Sequence, residues 1–465
     1  MRFIVENFGA IERADIKLKK LNVFVGKNAS GKSYLAYLIW SLLSVEPDWE
    51  ILENLFSDYI SNNSIKNLLE SKERNDDRLV KELKKKFKEL AIEIFKQFDK
   101  IWSRNLEEFL KNAFFVDDIN ELVRIGKDEA KIVICNDGGN KKIYFEINKG
   151  LKSWVNEEVL SSLSNNLYID IIPGKPSLIF FYYSEIDDPP YIISATDYYQ
   201  SFYQFLHFIP TCFAWLLDGY FPYATTFIAP DGRTGLIRSI EAYKYAIMSS
   251  KVFINEVDRK FMINFETLYP KIKNEEISKI ADFIEEKLGV RYTLKREPPR
   301  YSVKIGNIEN ILQTAPSGYR ELAPIVYAVR YALDKDNIVF IEEPEAHLHP
   351  DAQIIITRAL AGLSNYCYIV TTTHSITVLD EISNLLKLKK LPDEVKKDLG
   401  YEEWEGLSPE NVGIFLFSDG RVHELKVEED GIEESCLDRV IIEIANRHVK
   451  VDESYEHFRK MQTQR

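Results

Sequence analysis

Eight consecutive residues, Gly26-Lys27-Asn28-Ala29-Ser30-Gly31-Lys32-Ser33, match the phosphate-loop pattern GxxxxGK[ST] in full. The glycines Gly26 and Gly31 let the backbone wrap an anion. The N–H groups across Asn28, Ala29 and Ser30, with the N-terminus of the following helix, then point at it. Lys32 is expected to reach the β- and γ-phosphates, and the Ser33 hydroxyl to ligate Mg²⁺. The ligands this chemistry implies are a nucleoside triphosphate and Mg²⁺.

A second constellation lies far along the chain at Asn337-Ile338-Val339-Phe340-Ile341-Glu342-Glu343-Pro344-Glu345. Four apolar residues read as a buried strand, and open α/β sheets place their ligands at strand ends such as this one. Glu342 is expected to hold Mg²⁺ through water. Glu343 is expected to orient or deprotonate the attacking water. Asn365–Val370 is another buried run and ends in Thr371-Thr372-Thr373-His374-Ser375. One helix-length separates it from Glu343, so His374 can stand on the neighbouring strand and reach the γ-phosphate. Ser317-Gly318 opens a further helix, whose N-terminus can accept an anion.

Other residues carry less. His347 and His349 form an HxH pair but lack a third metal ligand at sensible spacing, and Pro350 suits the first turn of a helix. Lys84, Lys85, Lys86 and Lys88 cluster on one helix beside Glu82, Glu89 and Glu93, which reads as a solvated face. The acids Asp419, Glu428, Glu429 and Asp430 are loosely spaced and read as an acidic hairpin.

These side chains need a frame. Arg2–Asn7, Ala14–Leu18 and Leu21–Val25 read as strands, and the spacing from Lys32 to Leu43 as a helix. Val80, Leu83, Phe87, Leu90 and Ile94 mark one amphipathic helix of a few heptads, too short for a long coiled-coil arm. Strand signals return at Lys131–Cys135, Lys142–Ile147 and Leu178–Tyr183, followed by an aromatic-rich helix at 196–217. Helical patterns fill Leu236–Ser250 and Asn274–Leu288, a hairpin pairs Arg291–Lys295 with Tyr301–Ile305, and a strand pair covers Val412–Phe417 and Val422–Leu425. The expected fold is α/β, a P-loop head with a mixed sheet, a β-subdomain and a helical insertion. The head is assigned to residues 1–45 and 225–390, a helical insertion to 46–125, a strand-rich lobe with the aromatic helix to 126–224, and a small C-terminal extension to 391–465.

Composition narrows the partners. The net charge is −13, so nucleic-acid contact must be local or supplied by a partner. Ser201–Leu217 lacks charged residues but is broken by Gln204, His207 and Pro210, short of the ~20 apolar residues a membrane span needs. Cys135, Cys212, Cys367 and Cys436 form no CxxC pair, and the chain enters a strand at once. A cytoplasmic protein without a secretory leader is expected.

As a set, the motifs resemble the ABC-type ATPases of the SMC, RecF and overcoming-lysogenization-defect (OLD) group. The opening RFIVENFGAIERADIKLKKLNVFVGKNASGKS, then TAPSGYREL, IVFIEEPEAHLHP and YIVTTTHS, follow that group's order of P-loop, signature, Walker B with D-loop, and switch strand. The likeness covers roughly residues 1–45 and 225–380. It implies ATP held between two heads, with Ser317 and Gly318 contacting the γ-phosphate bound to Lys32 of the other protomer, and hence an ATP-dependent homodimer. FIAPDGRTGL resembles an arginine-bearing segment of the OLD-like members, which makes Arg233 a phosphate-side candidate. Pro316 departs from the commoner serine or leucine before the signature serine, and no Q-loop glutamine stands out. Residues 375–465 offer too few strands and acids for the Toprim nuclease domain of OLD nucleases, so a stand-alone ATPase is expected. Three outputs stay open. The first is a switch acting on a partner effector or DNA. The second is a nuclease using the C-terminal acids, and the third is the ATPase subunit of a transporter.

Overall fold

The apolar runs around the three motifs converge on one sheet. The computed structural model describes residues 1–62, 77–171, 177–182, 191–194, 226–240, 254–296, 299–433 and 446–455. Its strands begin with β1 (Arg2–Phe8), β2 (Ile11–Lys17), β3 (Leu21–Gly26), β4 (Ala130–Cys135), β5 (Lys142–Ile147) and β6 (Leu151–Val155). A separate small sheet of β7 (Leu167–Ile171), β8 (Ser177–Tyr182) and β9 (Tyr191–Ser194) follows, then β10 (Thr226–Ala229). Another small sheet holds β11 (Val290–Arg296), β12 (Pro299–Ile305) and β13 (Ile308–Ile311). Next come β14 (Ile338–Glu342), β15 (Tyr368–Thr373), β16 (Val412–Ser418) and β17 (Arg421–Leu425), followed by a two-stranded sheet of Val427–Glu428 and Gly431–Ile432.

The main sheet has eleven strands in the order β10-β14-β15-β3-β16-β17-β2-β1-β4-β5-β6. From β10 to β16 the five strands are parallel, and the strands beyond β17 pair antiparallel. The sheet is therefore mixed, as expected, with its parallel half around β3. The segment expected as a C-terminal extension contributes a central strand. β16 lies parallel to β3, with Phe415 opposite Phe24 and Phe417 opposite Gly26. The strand-rich segment near 130–155 likewise continues the head's sheet through the pairing of β1 with β4.

The helices are α1 (Lys32–Ser44), α2 (Trp49–Asn62), α3 (Asp77–Lys96), α4 (Arg104–Phe114), α5 (Glu157–Asn166), α6 (Arg233–Arg238), α7 (Glu256–Glu266), α8 (Glu275–Leu288), α9 (Ser317–Tyr331), α10 (Pro350–Leu363) and α11 (Ile376–Leu388). Successive strand residues point to opposite faces. Ile338 and Phe340 of β14 join one core with Trp40 of α1, Leu90 and Ile94 of α3 and Leu110 of α4. Val339 and Ile341 join another core with residues of α8, α9, α10 and α11. Helices cover both faces, which is why the parallel strands read as unbroken apolar runs.

Local signals account for several boundaries. Asn274 caps α8 by accepting from the N–H groups of Glu276 and Ile277. Lys85 and Lys86 of α3 pair with Glu89 along the solvated face. The aromatic-rich stretch 196–217 and residues 241–250 of the expected helix lie outside the described residues. Among the described residues no helix is long and apolar enough to cross a membrane.

Candidate functional site

The pairing register brings the motif ends level. Glu342 lies opposite Thr372, and Thr373 lies opposite Val25, immediately before the loop at Gly26. β14, β15 and β3 are neighbours and parallel, so Glu342, Glu343, His374 and the P-loop share one edge of the sheet.

Within the loop, Ala29 and Gly31 adopt positive φ (59° and 101°), the kind of backbone that lets successive amides converge on an anion. At Gly31 a side chain is excluded on space as well: a Cβ would stand 2.5 Å from Cδ1 of Ile11. Lys32 is buried, and its ammonium donates to the carbonyls of Gly26 (3.1 Å) and Lys27 (3.0 Å). The Ser30 hydroxyl is buried without a hydrogen-bond partner among the described residues. Lys27, Asn28, Ala29 and Ser33 are exposed. A cationic head held over such a loop, beside an orphan hydroxyl, fits a triphosphate.

Opposite stands a concentration of acid. Glu342 is buried, and its Oε2 accepts from the Tyr37 hydroxyl of α1 and from the Asp231 N–H (3.2 Å). Burial, then the Glu342 charge, pushes the Tyr37 phenol well above its ordinary value, so Tyr37 is the donor. Glu343 adopts φ 40°, and its N–H donates to the Thr372 carbonyl (3.1 Å) and hydroxyl (3.2 Å). Its side chain is half-buried, with Oε1 3.5 Å from Nε2 of His374. Burial raises the Glu343 carboxyl above its ordinary range, and Asp231, Glu345 and Glu342 add repulsion that Lys32 only partly offsets. Burial lowers His374, and Lys32 lowers it further. A carboxylate readier to take a proton beside an imidazole kept neutral suits water activation.

Tyr37, Asp231, Asp258 and Glu345 escaped the sequence reading. Tyr37 had a signal, since it follows Ser33 by one helical turn and shares its face. Asp258 of α7 is pushed up to about 6, by burial first and by Glu342. Glu345 accepts from the Thr373 hydroxyl (2.6 Å) and the His374 N–H (2.9 Å).

Ser317 is exposed at the start of α9, whose preceding residue Pro316 supplies no side-chain cap. Gly318 sits at a close approach: a Cβ there would lie 3.0 Å from the His347 carbonyl oxygen and 3.3 Å from Leu348, tighter than ordinary contact.

Arg233, expected on the phosphate side, is held by the protein itself. It is fully buried, with Nε donating to the Glu321 carbonyl (3.1 Å) and Nη1 to those of Pro230 (2.9 Å) and Glu342 (2.6 Å). Nη2 donates to the Glu343 carbonyl (3.2 Å) and lies 3.1 Å from the Glu321 carboxylate. Every guanidinium nitrogen has a protein partner here. Arg233 brackets α9 to the end of β14.

His349 caps α10 with its ring nitrogen toward the Asp351 N–H (3.3 Å). Asp419 sits in the β16–β17 turn, Glu428 pairs with Lys426, and Glu429 pairs with Lys390. Among the described residues no three His, Cys, Asp or Glu side chains group as metal ligands. A P-loop magnesium needs only one or two protein ligands beside phosphate and water.

A family model described as an AAA ATPase domain matches residues 1–185 and 237–379. Similar solved structures include the SMC head domain from Thermotoga maritima, 12% identical over 92% of this chain and 98% of its own, with a TM-score of 0.35. The Smc head with an extended coiled coil bound to the C-terminal domain of ScpA, derived from Pyrococcus furiosus, is 11% identical over 96% and 98%, with a TM-score of 0.40. An SmcHead bound to the C-winged helix domain of ScpA is 11% identical over 91% and 96%, with a TM-score of 0.40. These values assign no residue a role.

Proposed function

We propose, for a chain that belongs to the family of AAA ATPase domains and is an ATP-binding ATPase, that it hydrolyses ATP at a site shared between two copies and so acts as a switch. The observation that carries the reading is the meeting of Lys32, Glu342, Glu343 and His374 at one sheet edge, with Glu343 Oε1 3.5 Å from His374 Nε2.

In this reading the amides of Asn28, Ala29, Ser30 and Gly31 bind the phosphate chain, and the Lys32 ammonium leaves its loop carbonyls for the β- and γ-phosphates. Ser33 and Glu342 would hold Mg²⁺, which supplies charge neutralisation of the phosphate oxygens when bound. Tyr37 and the Asp231 N–H orient the Glu342 carboxylate for that task. Glu343 takes the proton of the attacking water, and His374 steadies Glu343 and the γ-phosphate side. Exposure of Ser317 at the start of α9 supports a role for that helix end, Ser317 with Gly318, on a partner's nucleotide. A closed two-fold pair is the economical arrangement for such a half-site. Loss of the γ-phosphate contacts would then open the pair toward a partner effector or DNA.

Cytoplasmic residence rests on Cys135 and Cys367, both buried and unbridged. Pairing of Glu428 with Lys426 and of Glu429 with Lys390 favours the switch over a nuclease. The test is Glu343→Gln with saturating Mg-ATP: hydrolysis should fall by about 10²-fold or more, and light scattering should report a trapped dimer. A variant that stays monomeric while ATP-bound refutes the shared site.

A further inference from the structure

The turn after β14 holds a buried acid that no step of the hydrolytic reading uses directly. Glu345 is 8% exposed and stands two residues beyond Glu343. Its Oε1 accepts from the Thr373 hydroxyl (2.6 Å) and from the His374 backbone N–H (2.9 Å), while Oε2 is buried without a hydrogen bond among the described residues. A half-satisfied buried carboxylate is an expensive way to hold a loop. What it provides is one strong acceptor able to bind two donors at once.

Those donors belong to the residues that aim the histidine. Thr373 is fully buried, and its hydroxyl also accepts from the Ser375 N–H (3.0 Å). Ser375 Oγ donates to the Gln353 side-chain oxygen (2.6 Å), and the Gln353 amide donates to the Leu348 carbonyl (3.1 Å). The Leu348 N–H returns to the Glu345 carbonyl (3.1 Å). The acidic turn and the switch loop thus close into one ring of bonds, with His374 on its rim.

We infer that Glu345 is a positioning residue, whose carboxylate clamps the switch loop to the acidic turn and so sets His374 against Glu343. The inference rests on the proposed role of His374 in hydrolysis.

The test is a double-mutant cycle on the full chain, reading kcat for ATP hydrolysis and nucleotide affinity separately. Glu345→Ala should lower kcat by about tenfold or more, equivalent to about 1.4 kcal/mol of barrier, with ATP affinity within about twofold of wild type. Glu345→Gln, which keeps an acceptor oxygen, should recover most of that loss. Glu345→Ala combined with His374→Ala should be no slower than His374→Ala alone. Full additivity of the two losses, or a loss of affinity with kcat intact, overturns the inference. Should Glu345→Ala fail to fold, Thr373→Val enters the same cycle with the same expectations. If His374→Ala hydrolyses ATP at the wild-type rate, the reading of the site itself falls and takes this inference with it. A slowed His374→Ala beside a normal Glu345→Ala defeats this inference alone.

Discussion

Arg233 separates a phosphate-binding arginine from a structural one, and the two make opposite predictions. Arg233→Met keeps a long apolar stem while removing the guanidinium. The Glu321 carboxylate, itself fully buried, then loses its ion pair, and the carbonyls of Pro230, Glu321, Glu342 and Glu343 lose their donor. Thr234, the other partner of Glu321, supplies one hydroxyl and no charge. Removing one member of a buried pair costs about 3–5 kcal/mol, because an uncompensated charge stays inside. Urea unfolding without nucleotide is the assay. With a slope of roughly 3 kcal/mol/M, the midpoint should fall by about 1 M or more. Arg233→Met with Glu321→Leu should recover much of the loss, since the stranded charge goes too. A nucleotide-free midpoint that does not move, together with weakened ATP binding, would refute the bracket and return Arg233 to the phosphate side.

Two further outcomes follow from the same geometry. Tyr37→Phe removes the hydroxyl that holds Glu342; a hydrogen bond to a charged group is worth about 1.5–3 kcal/mol, so the Mg²⁺ concentration giving half-maximal hydrolysis should rise about tenfold or more, and an unchanged magnesium titration would exclude the role. Asp258, held at about 6 against an ordinary 3.8, binds its proton more tightly folded than unfolded. Its contribution to stability is therefore complete below the ordinary value and lost as pH rises through about 6. Asp258→Asn should flatten nucleotide-free stability between pH 4 and 6, which denaturation across that range measures.

The legible part of the molecule was local. The P-loop sits between a strand and a helix that adjoin it in sequence, and Glu342 and His374 each end an apolar run of their own. What could not be read was whatever depends on long-range pairing. β16 reaches the centre of the sheet because its apolar face fits beside β3, and nothing within Val412–Ser418 distinguishes that place from an edge. The surroundings of Arg233 were hidden because a glycine-flanked arginine near a strand end looks alike whether it faces a phosphate or four carbonyls. Burial decides between them, and burial is a property of the assembled fold. Glu345 was hidden for a related reason: its partners Thr373 and His374 arrive only when β15 is laid beside β14. Tyr37 was within reach, one turn after Ser33 on the same helix face.

The central claim is that each site is built from two copies, and complementation tests it most directly. Lys32→Ala spoils a P-loop, and Ser317→Arg spoils the surface offered to a partner. Each variant alone should lack ATPase activity. In a mixed pair one composite site combines an intact P-loop with an intact Ser317, so an equimolar mixture should regain activity. A mixture as inactive as its components, while the two variants still form mixed pairs with ATP, would contradict the account.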